Sequence, residues 1–289
     1  MTPKEQTPRI WTVFFMMLCS ITIMLLFSIL LTGIWMGFLL FQGQELDNIE
    51  KTLLQDSNYF ILSLIFTQLA ILSVTLCGAF LSPTPLKERL ALRSVSLPFW
   101  HWPILILGSI GSGSLISPFV FEHSEYAQMM ANMLAEQSIG YGLLIMLFGS
   151  VLPGVGEELL CRGYIQSRLL QRWTPILAIS VSGFFFALLH MELLYILLTF
   201  PIGLWLGWVQ YRYQSTIPTI VCHFFNNLFS FGLMVFLPRF EIDIDWQSGL
   251  LFNGVFVLFF ILGIVLVAKT TRSHAHLQQQ DENRFSDGG

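Results

Sequence analysis

Six consecutive residues, Glu157-Glu158-Leu159-Leu160-Cys161-Arg162, place two carboxylates and a guanidinium within an otherwise apolar stretch. The twenty positions ahead of them, 137–156, contain no Asp, Glu, Lys or Arg. A charge at membrane depth costs about 2.5–3.5 kcal/mol on insertion scales and persists chiefly where it faces a bundle interior or a water-filled cavity. On a helix Glu158 and Arg162 stand one turn apart with the acid nearer the N-terminus, the favourable order for an ion pair. Glu157 is turned about 100° away and does not share that arginine equally. One carboxylate is thus neutralised by its neighbour and the other is left for other chemistry. Pro153, Gly154 and Gly156 are expected to loosen or break the helix just ahead, giving water or a substrate backbone a place to enter.

Two further places in the second half of the chain put polar groups inside apolar runs. One is Phe186-Ala187-Leu188-Leu189-His190; the other is His223-Phe224-Phe225-Asn226-Asn227, where His223 and Asn227 share a helix face at i, i+4. Each has a plain structural explanation. A lone intramembrane His is satisfied by a carbonyl or a Ser on a neighbouring helix, a His/Asn pair fastens helices, and Glu158–Arg162 by itself holds a fold. The conjunction points to chemistry: a carboxylate the arginine does not need, two imidazoles and an amide lie on three helices with few other buried polar groups to satisfy.

In this order the three motifs resemble the signature of the CPBP family of intramembrane proteases (CAAX protease and bacteriocin-processing, also called Abi or type II CAAX prenyl endopeptidases). That family carries E-E-x-x-x-R, F-x-x-x-H and H-x-x-x-N on successive helices. Here they stand as Glu157-Glu158 with Arg162, Phe186 with His190, and His223 with Asn227, and the resemblance covers about residues 140–235. Cys161 occupies a position where the family usually has an aromatic, which widens the pocket locally. The resemblance implies an endopeptidase that hydrolyses a peptide bond of a membrane-presented substrate with a glutamate-activated water. Glu157 with His190 would hold and deprotonate the water, and His223 with Asn227 would donate to the oxyanion. Glu158 and Arg162 would lock the motif helix, supported by Phe186. No cofactor is favoured. Zinc is the alternative, with Glu157, His190 and His223 as acceptable ligands, although no H-E-x-x-H helix is present. The implied partners are a peptide or protein substrate and the lipid bilayer, with no nucleic acid. Relatives process, or have been proposed to process, substrates as different as prenylated tails and bacteriocin leaders, so the substrate stays open. A non-catalytic peptide-binding or immunity membrane protein is the competing class. A transporter with Glu157 as proton relay is a third, against which no inverted repeat is visible.

These groups need a scaffold, and composition supplies it. Of 289 residues, 54% are hydrophobic and 11% charged, the profile of a multi-pass membrane protein. Charge-free runs cover 10–44, 59–86, 94–121, 137–156, 193–211, 213–238 and 246–268, and 173–191 is interrupted only by His190. Each reaches the roughly 18 residues that a crossing requires. The expected fold is all-α, a transmembrane bundle of about eight spans. With the N-terminus inside, every Lys and Arg except Lys51 and Arg239 falls on the inner side, so both termini are expected to be cytoplasmic and the protein to lie in a bacterial inner membrane. The first apolar run is read as a retained span, not a cleaved leader. The organisation is read as N-terminal spans over 1–139, a catalytic core over 140–235, a last span over 236–268 and a disordered polar tail over 269–289.

Smaller expectations complete the reading. The first two spans, which lack interior ionisable residues, are read as lipid-facing scaffold, and the small residues between Gly108 and Ser114 as permitting close helix approach. Residues 87–93 are read as an amphipathic stretch on the membrane surface and His101 as part of an aromatic belt. Residues 124–138 read as an external amphipathic helix with its Met stripe against the membrane. None of the four cysteines forms a C-x-x-C pair, and Cys161 and Cys222 are read as buried, inert thiols.

Overall fold

The computed structural model describes residues 9–45, 48, 52–53, 56–240, 249 and 251–269. Among them there is no strand. The all-α reading therefore holds, for the reason that governs any chain in lipid: backbone N–H and C=O groups without water must pair within their own segment. α1 (Trp11–Phe41) and α2 (Ser57–Phe80) form an antiparallel pair. Asp56 joins them, accepting from the Asn58 and Tyr59 amides at the α2 N-terminus and from the Trp35 indole of α1 at 2.9 Å. A one-turn helix, α3 (Leu86–Arg89), leads to α4 (His101–Ser114), α5 (Ser117–His123) and α6 (Glu125–Glu136). α7 begins at Ile139 and continues as a rod to Leu169. α8 (Pro175–Leu188), α9 (Leu193–Tyr213), α10 (Ile217–Phe236) and α11 (Leu251–Lys269) complete the bundle.

The eight expected spans resolve unevenly. Among the described residues six helices are long and apolar enough to cross a membrane: α1, α2, the α7 rod, α9, α10 with its short continuation to Phe240, and α11. The expected span over 94–121 is broken, because α4 and α5 meet at 47° and cross only as a bent pair. The run over 173–191 yields only the 14 residues of α8, about 21 Å of helix against a hydrocarbon core of about 30 Å. Thr174-Pro175 delays its start, and the chain turns at His190, where Met191 takes a left-handed φ of 57°. The polar tail lies outside the described residues apart from Lys269.

The structure also corrects three local expectations. The helix does not break at Pro153, Gly154 and Gly156, since α7 runs through all three. Those glycines serve close packing: a Cβ on Gly154 would sit 3.2 Å from the Phe224 amide nitrogen of α10, and one on Gly156 would sit 3.2 Å from Gln68 Oε1 of α2. The 87–93 stretch is not a free amphipathic element but is partly built into the bundle. Arg89 and Leu90 are buried, and the Leu90 and Ala91 carbonyls accept from the Thr216 hydroxyl and amide at 2.8 and 2.9 Å, which ties the loop to the start of α10. The Met stripe of α6 faces the bundle, where Met130, Met133 and Leu134 pack on Ile145 of α7 and Met234 and Val235 of α10. The small residues of α4 do permit close approach: Gly111 lies against the α11 backbone at Phe256, and Gly108 against Trp205 of α9. His101 is buried at the α4 N-terminus beside Trp100.

Candidate active site

Beyond Glu158 the α7 rod changes its winding. Residues Leu159–Gln166 are π-helical, and the α-helical pattern resumes over Ser167–Leu169. Such segments leave backbone carbonyls unusually placed and recur at functional sites. Here the Cys161 carbonyl accepts from the Ser182 hydroxyl of α8 at 2.9 Å. Every side chain of the segment is buried, Cys161 included.

Arg162 anchors the centre. It is fully buried, and its Nη1 donates to Glu158 Oε1 at 2.8 Å while Nη2 donates to the Gly203 carbonyl of α9 at 3.0 Å. Its guanidinium lies 4.3 Å from the centroid of the Phe186 ring. The Gly203 carbonyl is within reach because α8 and α9 nearly touch: a Cβ on Gly203 would meet the Gly183 carbonyl at 2.9 Å. The ion pair expected from the i, i+4 spacing is therefore present and closed off from solvent.

Glu158 does more than balance that arginine. The same oxygen, Oε1, lies 3.0 Å from His223 Nδ1 of α10. Glu158 thus fixes the tilt of the His223 imidazole and leaves its Nε2 as the free ring nitrogen, the role a carboxylate plays behind a working histidine. Phe186 joins the rest. Its ring makes edge contacts with His190 at 5.5 Å and His223 at 5.3 Å between centroids, in addition to carrying Arg162. One aromatic face and edge thus set three functional groups relative to one another.

Glu157 points elsewhere. Its Oε1 accepts from Gln68 Nε2 of α2 at 2.8 Å, and its Oε2 has no hydrogen-bond partner among the described residues, although the side chain is buried. His190, in the turn after α8, shares the Phe186 ring with His223, and its Nδ1 is 3.3 Å from the Phe186 carbonyl. Asn227 donates one amide hydrogen to the Gly149 carbonyl of α7 at 3.1 Å. That leaves its second amide hydrogen as the donor to spare.

Gln68 is the residue that reading the sequence misses. The reading treats α2 as scaffold because it contains no ionisable side chain, yet this one amide holds the carboxylate on which the chemistry would turn. A lone glutamine in an apolar span was the available signal, since a buried amide needs partners. For zinc the arrangement is a poor fit. Among the described residues no three His, Cys, Asp or Glu side chains converge as metal ligands. Glu158 engages His223 Nδ1 and the Phe186 carbonyl faces His190 Nδ1, contacts that leave Nε2 of each ring for other partners. No step below is routed through a metal.

Residues 139–229, from the start of α7 into α10, match the family model described as type II CAAX prenyl endopeptidase Rce1-like. No curated protein and no solved structure matches the chain. The matched stretch contains all three motifs in order, on helices that the fold brings around one aromatic ring. On that match this stretch of the chain is similar to the CPBP (CAAX protease) family of multi-pass membrane proteins.

Proposed function

We propose that the protein is an intramembrane endopeptidase of glutamate type, with Glu157 as the base that activates water. One observation carries this reading: of two adjacent buried carboxylates, Glu158 meets both Arg162 and His223 through Oε1, whereas Glu157 makes no ion pair among the described residues and bonds only the neutral Gln68 amide, with Oε2 unpartnered there. A water held between Glu157 Oε2 and His190 would give its proton to the carboxylate as its oxygen attacks the scissile carbonyl carbon. The oxyanion so formed would accept from His223 and from the second amide hydrogen of Asn227. In the imidazolium form both ring nitrogens of His223 donate, Nδ1 to Glu158 and Nε2 to the oxyanion. Glu157 then returns the proton to the departing amine as the C–N bond breaks. Removal of one such oxyanion donor costs about 10²–10³ in rate where it has been measured.

The substrate is a polypeptide presented from the bilayer or its cytoplasmic face, in a cell membrane entered with both termini inside, as the distribution of Lys and Arg supports. The family's prenylated tails are one candidate among several. Comparing membrane-protein termini in cells carrying the wild type or Glu157→Gln tests both activity and substrate. Termini present only with the wild type identify the cleavage sites. An identical set of termini from both, with equal protein levels, would defeat the proposal.

A further inference from the structure

A cavity of about 1070 Å³ opens at the end of the bundle where α1 begins, α2 and α9 finish and the α7 rod passes into α8. It is separate from the site above, and none of Glu157, His190 or His223 lines it. Four arginines do: Arg9, Arg89, Arg93 and Arg168. Glu88 is the one acid among the described lining residues. No carboxylate among the described residues pairs with any of the four, since the ion pairs there involve Glu158 alone.

Two of these arginines are held in a way that needs explaining. Arg89 is only 4% exposed, and its Nε has no partner. Its guanidinium lies 4.2 Å from the centroid of the Tyr164 ring, and that of Arg168 lies 4.6 Å from the same centroid. Arg168 Nη1 also bonds the Thr12 hydroxyl, and its Nε too lacks a partner. Two cations thus share one ring and repel each other, with unspent N–H donors beside a cavity further lined by hydroxyls and amides such as Thr12, Ser167 and Gln210. A buried cation without an anion is costly unless one arrives. The guanidinium fork matches phosphate better than any other common anion. The position at the ends of membrane-crossing helices is headgroup depth, where basic pockets between helices take anionic lipid headgroups.

We infer that this cavity binds a phosphate group, supplied by the headgroup of an anionic phospholipid, with Arg89 and Arg168 as its principal donors. The α3 loop that carries Arg89 and Arg93 is pinned to the α7 rod and to α10, because a Cβ on Gly163 would sit 2.9 Å from the Leu90 carbonyl and Thr216 bonds that same oxygen. The donors are therefore held in place before any ligand arrives.

The test uses the full chain in nanodiscs, with binding followed by native mass spectrometry and by thermal melting. Phosphatidylglycerol should be retained about tenfold more tightly than phosphatidylcholine, and Arg89→Gln or Arg168→Gln should remove that preference. Arg93→Gln, at the exposed rim, keeps the test alive if a buried variant fails to fold; it should weaken the preference about threefold. Inorganic phosphate distinguishes the source. If it raises the melting temperature of wild type but not Arg168→Gln, while the two lipids bind equally, the phosphate site stands and the lipid source falls. Equal retention of both lipids together with no response to phosphate would overturn the inference, as would an undiminished lipid preference in all three variants.

Discussion

Arg162 and Arg89 are both buried guanidiniums lying 4.2–4.3 Å from the centroid of an aromatic ring, and Arg89 stacks on Tyr164, two residues beyond Arg162 on the same rod. They differ in what opposes their charge. Arg162 has Glu158 at 2.8 Å and the Gly203 carbonyl at 3.0 Å. Arg89 has one long contact, 3.4 Å, to the Tyr164 carbonyl and a cavity beside it. Both leave Nε without a partner among the described residues, but the first has its counter-charge in place and the second has none among them. A like contrast separates the two glutamates: both leave Oε2 without a partner among the described residues, but Glu158 Oε1 meets Arg162 and His223, whereas Glu157 Oε1 meets only the neutral Gln68 amide. In this molecule the useful distinction is between buried charges that face a counter-charge and those that do not.

The largest expected effect comes from breaking the Glu158–Arg162 pair. Glu158→Gln leaves Arg162 buried without its counter-charge and frees His223, and a buried pair broken on one side costs about 3–5 kcal/mol. The variant should be recovered in poor yield and melt far below wild type in detergent. Arg89→Gln removes a buried cation that has no anion to strand, so its melting temperature should change little, with at most about 1 kcal/mol lost from the ring contact. Equal damage from the two substitutions would dissolve the distinction.

Glu157→Gln opposes the two carboxylates directly. It is nearly isosteric and strands no charge, so folding should match wild type while peptide cleavage falls by about 10²–10⁴, the usual contribution of a general base. Excess chelator should leave wild-type cleavage unchanged. A chelated enzyme that recovers only with added zinc would return Glu157, His190 and His223 to the role of ligands.

Much of the candidate site was legible in the chain because its signals are local. Glu158–Arg162 follows from helix spacing, and charge in an apolar run announces itself. What was not legible depends on two or more segments at once. The Glu158–His223 contact joins α7 to α10, and the glycines read as a helix break prove to be contact points, because only the partner helices reveal what a Cβ there would meet. The length of α8 was overestimated because hydropathy counts apolar residues without seeing where Thr174-Pro175 and the turn at His190 stop the helix. Burial of the 87–93 loop was hidden by its amphipathic pattern, which suits a protein groove as well as a membrane surface.

Phe186 should show an intermediate effect. Phe186→Leu keeps an apolar side chain of similar bulk but removes the ring edge from His190 and His223 and the face from Arg162. A cost of about 1–2 kcal/mol in stability is expected, with a loss of cleavage beyond what the lowered fraction of folded protein explains. Activity falling only in step with folding would make the ring mere packing.

The smallest effect is also the most discriminating, because it falls on a residue outside the matched family region. Gln68 gives Glu157 Oε1 its only hydrogen bond, 2.8 Å from Nε2. It reaches no other site residue among the described contacts, so its contribution is to aim the carboxylate. Gln68→Leu should cost about 1 kcal/mol of stability, because an apolar side chain suits that depth while Glu157 Oε1 is left without its bond. Without that bond the carboxylate is no longer held in line with its water, so kcat should fall about tenfold to a hundredfold. KM should stay unchanged, since substrate binding does not depend on the aim of the base. Gln68→Glu should do worse than the leucine, because it sets a second carboxylate against Glu157 and favours protonation of the pair. Were the leucine variant as active as wild type, the aim of Glu157 would have to come from α7 alone, and the second span would return to the scaffold role its composition first assigned it.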